Sequence, residues 1–138
     1  SYNDMRYTKT SGLEGSFIIG DRLARTPTNT ANLSFFYTLP SGTLKNFSFG
    51  ATANYIGKRV GGWNNQYKAT EPNGILDREI PLEAYTSIDF SAGYKWKQFS
   101  ILCKLSNITN ELNYTVHENY SVNPIAPRQV MTALKYNF

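Results

Sequence analysis

From Gln129 to Phe138 the chain changes character at every residue. Val130, Thr132, Leu134, Tyr136 and Phe138 fall on one face of an extended chain. Gln129, Met131, Ala133, Lys135 and Asn137 fall on the other, because strand side chains switch faces at each step. Upstream segments repeat the pattern. Ala31, Leu33, Phe35, Tyr37 and Leu39 alternate with Asn32, Ser34, Phe36 and Thr38. Phe47, Phe49, Ala51, Ala53 and Tyr55 alternate with Ser48, Gly50, Thr52 and Asn54. Thr86, Ile88, Phe90, Ala92, Tyr94 and Trp96 alternate with Tyr85, Ser87, Asp89, Ser91, Gly93 and Lys95. Phe99, Ile101, Cys103 and Leu105 alternate with Ser100, Leu102, Lys104 and Ser106. Residues 2–9 are a weaker case, with Met5 and Tyr7 opposite Asp4, Arg6 and Thr8. A period of two held over about ten residues is a strand signal and excludes an amphipathic helix.

The links between these segments alternate in length. The stretch 40–45, with Pro40 and Gly42, and the stretch 95–98 have the chemistry of tight turns. Residues 10–27, 59–81 and 109–127 form long links. Gly61 to Gln66 is Gly/Asn-rich and reads as flexible, Pro72-Asn73-Gly74 reads as a turn, and Phe17–Ile19 and Tyr114–Val116 read as strand extensions. Short turns at one end and long loops at the other are the arrangement of an outer-membrane β-barrel. A strand of ~10 residues, tilted ~45°, rises roughly 25 Å, the apolar height of such a membrane.

Composition agrees. Aromatic residues make up 14% of the chain and ten of them are Tyr, while charged residues are only 17%. That combination suits strands with aromatic girdles and one wet face. No run of 18 apolar residues exists, so no transmembrane helix is expected. The chain is expected to be all-β, a transmembrane antiparallel barrel whose greasy face meets lipid. Six such strands cannot close a barrel, and open edges in lipid leave backbone groups bare. Ser1–Met5 has neither an initiator Met nor a signal peptide, and Phe138 ends the chain without a polar tail. The whole of residues 1–138 is therefore expected to be the C-terminal part of a longer barrel domain.

Other chemistries find little support. The net charge of +4 is scattered and forms no basic cluster, which argues against nucleic acid. One cysteine, Cys103, excludes an intrachain disulfide and reads as a small hydrophobe. One histidine, His117, has no partner for a zinc site. Glu71, Asp77, Glu79 and Glu83 cluster along the second long link, but their spacing is not that of a calcium loop. Asp89, with Ser87 and Ser91, is expected on the wet inner wall. No nucleophile–base pair stands out, so no catalytic residue, metal or cofactor is expected. Triplets such as Asn107-Ile-Thr109 read as Asn-rich composition rather than glycan sites.

Short motifs, in order, carry a family likeness. Arg22-Leu23, Thr26-Pro27 and Ala31-Asn32-Leu33 resemble the "R-L-x-x-x-P" entry to a late strand of TonB-dependent outer-membrane receptors. Phe49-Gly50 through Tyr55-Ile56-Gly57-Lys58-Arg59 resembles their "G-x-x-Y-x-G-x-R" strand. Ile80-Pro81 with Tyr85-Thr86-Ser87-Ile88-Asp89 resembles "P-x-Y-t-x-x-D". Leu105-Ser106-Asn107-Ile108-Thr109-Asn110, ending at Tyr114, resembles "v-x-N-L-x-(D/N)-x-x-Y". Ala126-Pro127-Arg128 and the terminal strand resemble the family's closing strand.

The resemblance implies a siderophore-receptor-like protein of the Gram-negative outer membrane. It implies a barrel of about 22 strands, of which this chain supplies about the last six. It also implies energy-coupled uptake of an iron–siderophore or similar scarce nutrient. The partners implied are the rest of the barrel and its plug, and a periplasmic TonB-type coupling protein that grips an N-terminal box not in this chain. Outer-membrane lipid and lipopolysaccharide, and the barrel-assembly machinery, complete the set. In this reading Val130, Leu134, Tyr136 and Phe138 form the terminal signal that the assembly machinery reads. Trp63, Tyr67, Lys68, Arg78 and Tyr120 lie on the long links and are of types that stack on or pair with an anionic, aromatic chelate. Two other readings compete. A passive porin-type barrel shares the strand pattern but not the ordered motifs. A soluble all-β carbohydrate-binding module would use the aromatic residues as sugar platforms and would not need the uniform strand length.

Overall fold

A computed structural model describes residues 1–9, 19–63, 79–117 and 121–138. Among them nine strands form: β1 (Thr30–Thr38), β2 (Phe47–Ile56), β3 (Arg59–Trp63), β4 (Glu79–Leu82), β5 (Tyr85–Trp96), β6 (Phe99–Ser106), β7 (Tyr114–His117), β8 (Ser121–Pro124) and β9 (Gln129–Tyr136). No described helix is long and apolar enough to cross a membrane. The main sheet has the order β1-β2-β5-β6-β9, and β3-β4 and β7-β8 are separate two-stranded ribbons. The chain divides into two units. One holds residues 31–55, 86–112 and 126–138, and the other holds 1–30, 56–85 and 113–125.

The unit built on the main sheet follows from the period of two. β5 pairs with β6 so that Phe90 faces Leu105, Ala92 faces Cys103, Tyr94 faces Ile101 and Trp96 faces Phe99. β6 pairs with β9 so that Leu105 faces Val130, Cys103 faces Thr132, Ile101 faces Leu134 and Phe99 faces Tyr136. Directly paired residues share a face, so these positions form one almost wholly apolar surface across three strands. The intervening rows run Ser91–Lys104–Met131, Gly93–Leu102–Ala133 and Lys95–Ser100–Lys135. β1 and β2 divide in the same way. Phe49 packs its ring 5.9 Å from both Phe35 and Tyr37. On the reverse, Ser34 and Thr52 share a hydroxyl hydrogen bond at 3.2 Å, and the Asn32 amide donates to the Asn54 side-chain oxygen. Cys103 sits on the apolar face, exposed, with its Sγ 3.6 Å from the Thr132 hydroxyl.

The turns are local chemistry. Gly42 and Asn46, at φ 86° and 70°, let the chain reverse after β1. The Leu39 N–H then donates to the Phe47 carbonyl at 2.8 Å, and the Asn46 N–H donates to that of Leu39 at 2.9 Å. β5 and β6 are joined by Lys97 and Gln98 alone, between the closing pair Trp96 and Phe99.

This unit buries no large apolar side chain among the described residues. Leu33, Phe35, Val130 and Leu134 are 55% to 79% exposed. Water would oppose so large an apolar face. The two outer strands, β1 and β9, also each keep one edge without a described strand partner. In hydrocarbon each bare backbone group costs several kcal/mol. Both facts are resolved when the sheet is an arc of a larger transmembrane barrel.

The other unit has a small core of its own. All of β3 is buried, and Val60 and Trp63 are its buried apolar residues. β3 pairs with β4 through a register shift between Val60 and Gly62, the mark of a β-bulge. β7 pairs with β8 from Tyr114–Pro124 to His117–Ser121. The link that was expected to be flexible from Gly61 onward therefore begins as a paired strand. About six spanning strands were expected, and among the described residues the main sheet holds five. Residues 2–9 make only isolated bridges, Tyr2 to Asn29 and Arg6 to Arg22. Their polar side chains bind locally instead: Arg6 pairs with Asp4 at 3.0 Å and donates to the Gly20 carbonyl at 2.9 Å. With Met5 and Tyr7 as the only apolar alternation, little burial favours a full strand there.

The face assignment has a direct test. In the assembled full-length protein, Thr132→Arg should lower stability by about 2–4 kcal/mol, the usual cost of an arginine in the lipid-facing mid-zone. Ala133→Arg, one residue on, should cost under about 1 kcal/mol because it faces water. Denaturant unfolding followed by heat-modifiable gel mobility measures both.

Candidate functional site

Two buried polar clusters gather the motif residues, one in each unit. The first centres on Arg59, at the end of the "G-x-x-Y-x-G-x-R" stretch and only 6% exposed. Its Nη1 donates to the Glu83 carbonyl at 3.2 Å, and its Nη2 donates to the Asn113 Oδ1 at 2.8 Å and to the Tyr114 carbonyl. The guanidinium also lies 5.2 Å from the Tyr85 ring centroid, a cation–π contact. Asn113, itself buried, donates from Nδ2 to the Glu83 carbonyl at 3.3 Å and accepts from the Tyr114 N–H at 2.8 Å. The planar fork of arginine suits this job, since it can satisfy several acceptors at fixed angles. Arg59 thereby joins the start of β3, the link after β4 and the start of β7.

Glycine brings the same stretch close to its neighbour. The Gly57 N–H donates to the Asn29 carbonyl at 2.8 Å. A Cβ at Gly57 would stand 2.7 Å from that same carbonyl and would overlap the Asn29 side chain. Any other residue would push the two backbones apart.

The second cluster centres on Asn107, 5% exposed and held at φ 49°. Its amide nitrogen donates to the carbonyls of Glu111, at 3.0 Å, and Ala126, at 2.9 Å. Its Oδ1 accepts the Glu111 N–H at 2.8 Å, and its own N–H donates to Asp89 Oδ1 at 3.0 Å. Asp89 Oδ2 pairs with Lys104 Nζ at 2.9 Å. Asn110 Oδ1 accepts the N–H of Arg128, which follows Pro127, at 3.2 Å. Asp89 on the polar face is thus tied to its own strand neighbour Lys104 and to the turn after β6.

Among the expected ligand contacts, Trp63 is buried at the end of β3, its ring 5.7 Å from that of Tyr7 in an edge-on pair. Tyr67, Lys68, Arg78 and Tyr120 lie outside the described residues. Of the acidic group, Glu79 accepts the Arg22 N–H at 2.8 Å, and Glu83 pairs with Lys58 at 3.3 Å at the surface. Glu71 and Asp77 lie outside the described residues. Val130, Leu134 and Tyr136 of the terminal strand line the apolar face of β9. Phe138 follows, its ring 4.9 Å from Tyr136 and perpendicular to it. The roles of Arg59 and Asn113 were missed by sequence reasoning. Their positions inside or beside the ordered motifs were the available signal.

The geometry is that of a barrel wall, with a lipid-facing belt, a polar inner face, and one unit that gathers the long links. Comparison with known proteins gives it a family. The family model described as TonB dependent receptor-like, beta-barrel matches residues 1–113. The chain belongs to that family, whose members are outer-membrane receptors of Gram-negative bacteria and not enzymes. In fold it is similar to FpvA, the ferripyoverdine receptor of the outer membrane of Pseudomonas aeruginosa. A structure of FpvA with ferripyoverdine gives a TM-score of 0.69 at 21% identity, covering 86% of this chain. FpvA with a heterologous pyoverdine gives 0.69 at 21% identity. FpvAI in complex with pyocin S2 gives 0.70 at 20% identity. The chain spans 15% of each of those chains. Comparison with curated proteins finds no match.

Removing the Arg59 fork should loosen the ribbons. Arg59→Ala takes the Arg59 donor from the Tyr114 carbonyl and one of two donors from Asn113 Oδ1 and from the Glu83 carbonyl, and should cost about 2–4 kcal/mol. Hydrogen exchange in the full-length protein should show faster exchange across β3, β4 and β7, with β6 and β9 unchanged. Arg59→Lys should recover part of the loss.

Proposed function

We propose that this chain is the C-terminal wall segment of an outer-membrane receptor that takes up an iron–siderophore or similar scarce nutrient. The observation that carries this reading is the ordered set of receptor motifs falling on the two buried polar clusters, of which the one around Arg59 fastens the long-link unit. Such fastening suits a surface that must hold loops in place around a ligand. The fold likeness to a ferripyoverdine receptor supports an iron chelate as the substrate class. Tyr67, Lys68, Arg78 and Tyr120 are the proposed contacts, by stacking and by pairing with anionic groups, and Trp63 anchors the end of β3.

The remaining parts of the machine belong to the same proposal. The complete barrel would have about 22 strands and would enclose a plug. A periplasmic TonB-type protein would supply energy by gripping an N-terminal box. The wall does no covalent chemistry in this scheme. It supplies a rigid, hydrogen-bonded ring and a polar inner face. Lipopolysaccharide would meet its outer surface, and the barrel-assembly machinery would read β9 and Phe138.

Uptake of a radiolabelled ferric chelate by cells carrying the full-length gene tests the reading. Uptake should saturate and should fall to background when a protonophore collapses the inner-membrane potential. Uptake that is linear in concentration and indifferent to the protonophore would favour a passive pore. For assembly, Phe138→Ala should reduce the folded, heat-modifiable protein in the outer membrane several-fold. Equal amounts of mutant and wild type would overturn the role given to the terminal residue.

A further inference from the structure

One end of the main sheet carries side-chain charge of a single sign. The turn after β1 meets the end of β5, where the Lys95 N–H donates to the Asn46 carbonyl at 3.3 Å. The β5–β6 turn lies at the same end, and the Asn137 N–H donates to the Gln98 carbonyl at 3.0 Å. Lys45, Lys95, Lys97 and Lys135 lie on these segments, and no Asp or Glu does. The acidic side chains of this unit, Asp89 and Glu111, belong to the other end, around Asn107.

The apolar face at this end forms a groove lined by Tyr94, Trp96, Phe99, Ile101, Leu134 and Tyr136. Trp96 is 57% exposed, and the rings of Phe99 and Tyr136 lie 4.8 Å apart. The Lys97 ammonium sits 5.2 Å from the centroid of the Trp96 ring, a contact that holds the charge over the groove. Lys97 keeps this place at φ 52°, in the left-handed region that glycine and asparagine occupy with less strain.

We infer that this groove is a binding site for an anionic glycerophospholipid. The acyl chains lie along Ile101 and Leu134, and the phosphate pairs with Lys97 at headgroup level. Short turns face the periplasm, so the lipid belongs to the inner leaflet. A zwitterionic lipid brings its own amine to the phosphate. An anionic one does not, and it gains more from the Lys97 ammonium held beside Trp96. The inference rests on the membrane placement of this face and not on the substrate of uptake.

The full-length protein in nanodiscs of phosphatidylcholine provides the test. Phosphatidylglycerol with brominated chains is added in steps, and quenching of Trp96 is taken as the difference from Trp96→Phe. Half-quenching should need an about fivefold lower mole fraction than with brominated phosphatidylcholine, the preference expected of one lysine–anion contact. Lys97→Gln should merge the two curves, and Lys97→Arg should keep them apart. Coincident curves for the wild type would overturn the site, as would an undiminished preference in Lys97→Gln. No quenching by either lipid would place Trp96 outside the bilayer and overturn the site together with the membrane placement of this face.

Discussion

A backbone hydrogen bond has no substitute in hydrocarbon, and the rest of this structure depends on that. The main sheet buries no large apolar residue within its own unit. Its strands are held by their ladders and by cross-strand pairs such as Phe99–Tyr136 and Ile101–Leu134. In water such a sheet would collapse against another layer. In a membrane the apolar face is already solvated by lipid, so the ladder becomes the main constraint on structure. The ladder needs partners at both edges, and the barrel of this family supplies them.

The same constraint explains why the motif residues are polar and buried. At the end of a spanning strand the backbone leaves its regular ladder, and its carbonyls need other donors. Arg59 satisfies those of Glu83 and Tyr114, and Asn107 satisfies those of Glu111 and Ala126. The motifs that mark the family are thus fastenings where strands give way to links. A receptor can vary its loops while this frame stays in place.

The legible part of the fold was the part governed by period two. β1, β2, β5, β6 and β9 lie within a residue or two of the alternating segments, because one face wants lipid and the other wants water. β3 could not be read this way. It is buried on both sides and bulged, and Gly61 and Gly62 read as loop until a partner strand is known. Residues 2–9 erred the other way: a hint of alternation outweighed the local bonding of Asp4 and Arg6. The clusters were half legible. The motifs pointed to Arg59, Asp89 and Asn107, but the partner of Arg59 is 54 positions away at Asn113. Spacing along the chain carries no record of such a contact.

The measurement that tests the account most directly is solvent mapping along β9 in the assembled protein. Single spin labels at positions 130 to 135 would be probed for collision with oxygen, which dissolves in lipid, and with a polar nickel chelate, which does not. The account predicts an alternation, with Val130, Thr132 and Leu134 open to oxygen and Met131, Ala133 and Lys135 open to nickel. A profile without that alternation, or one of the opposite phase, would contradict it.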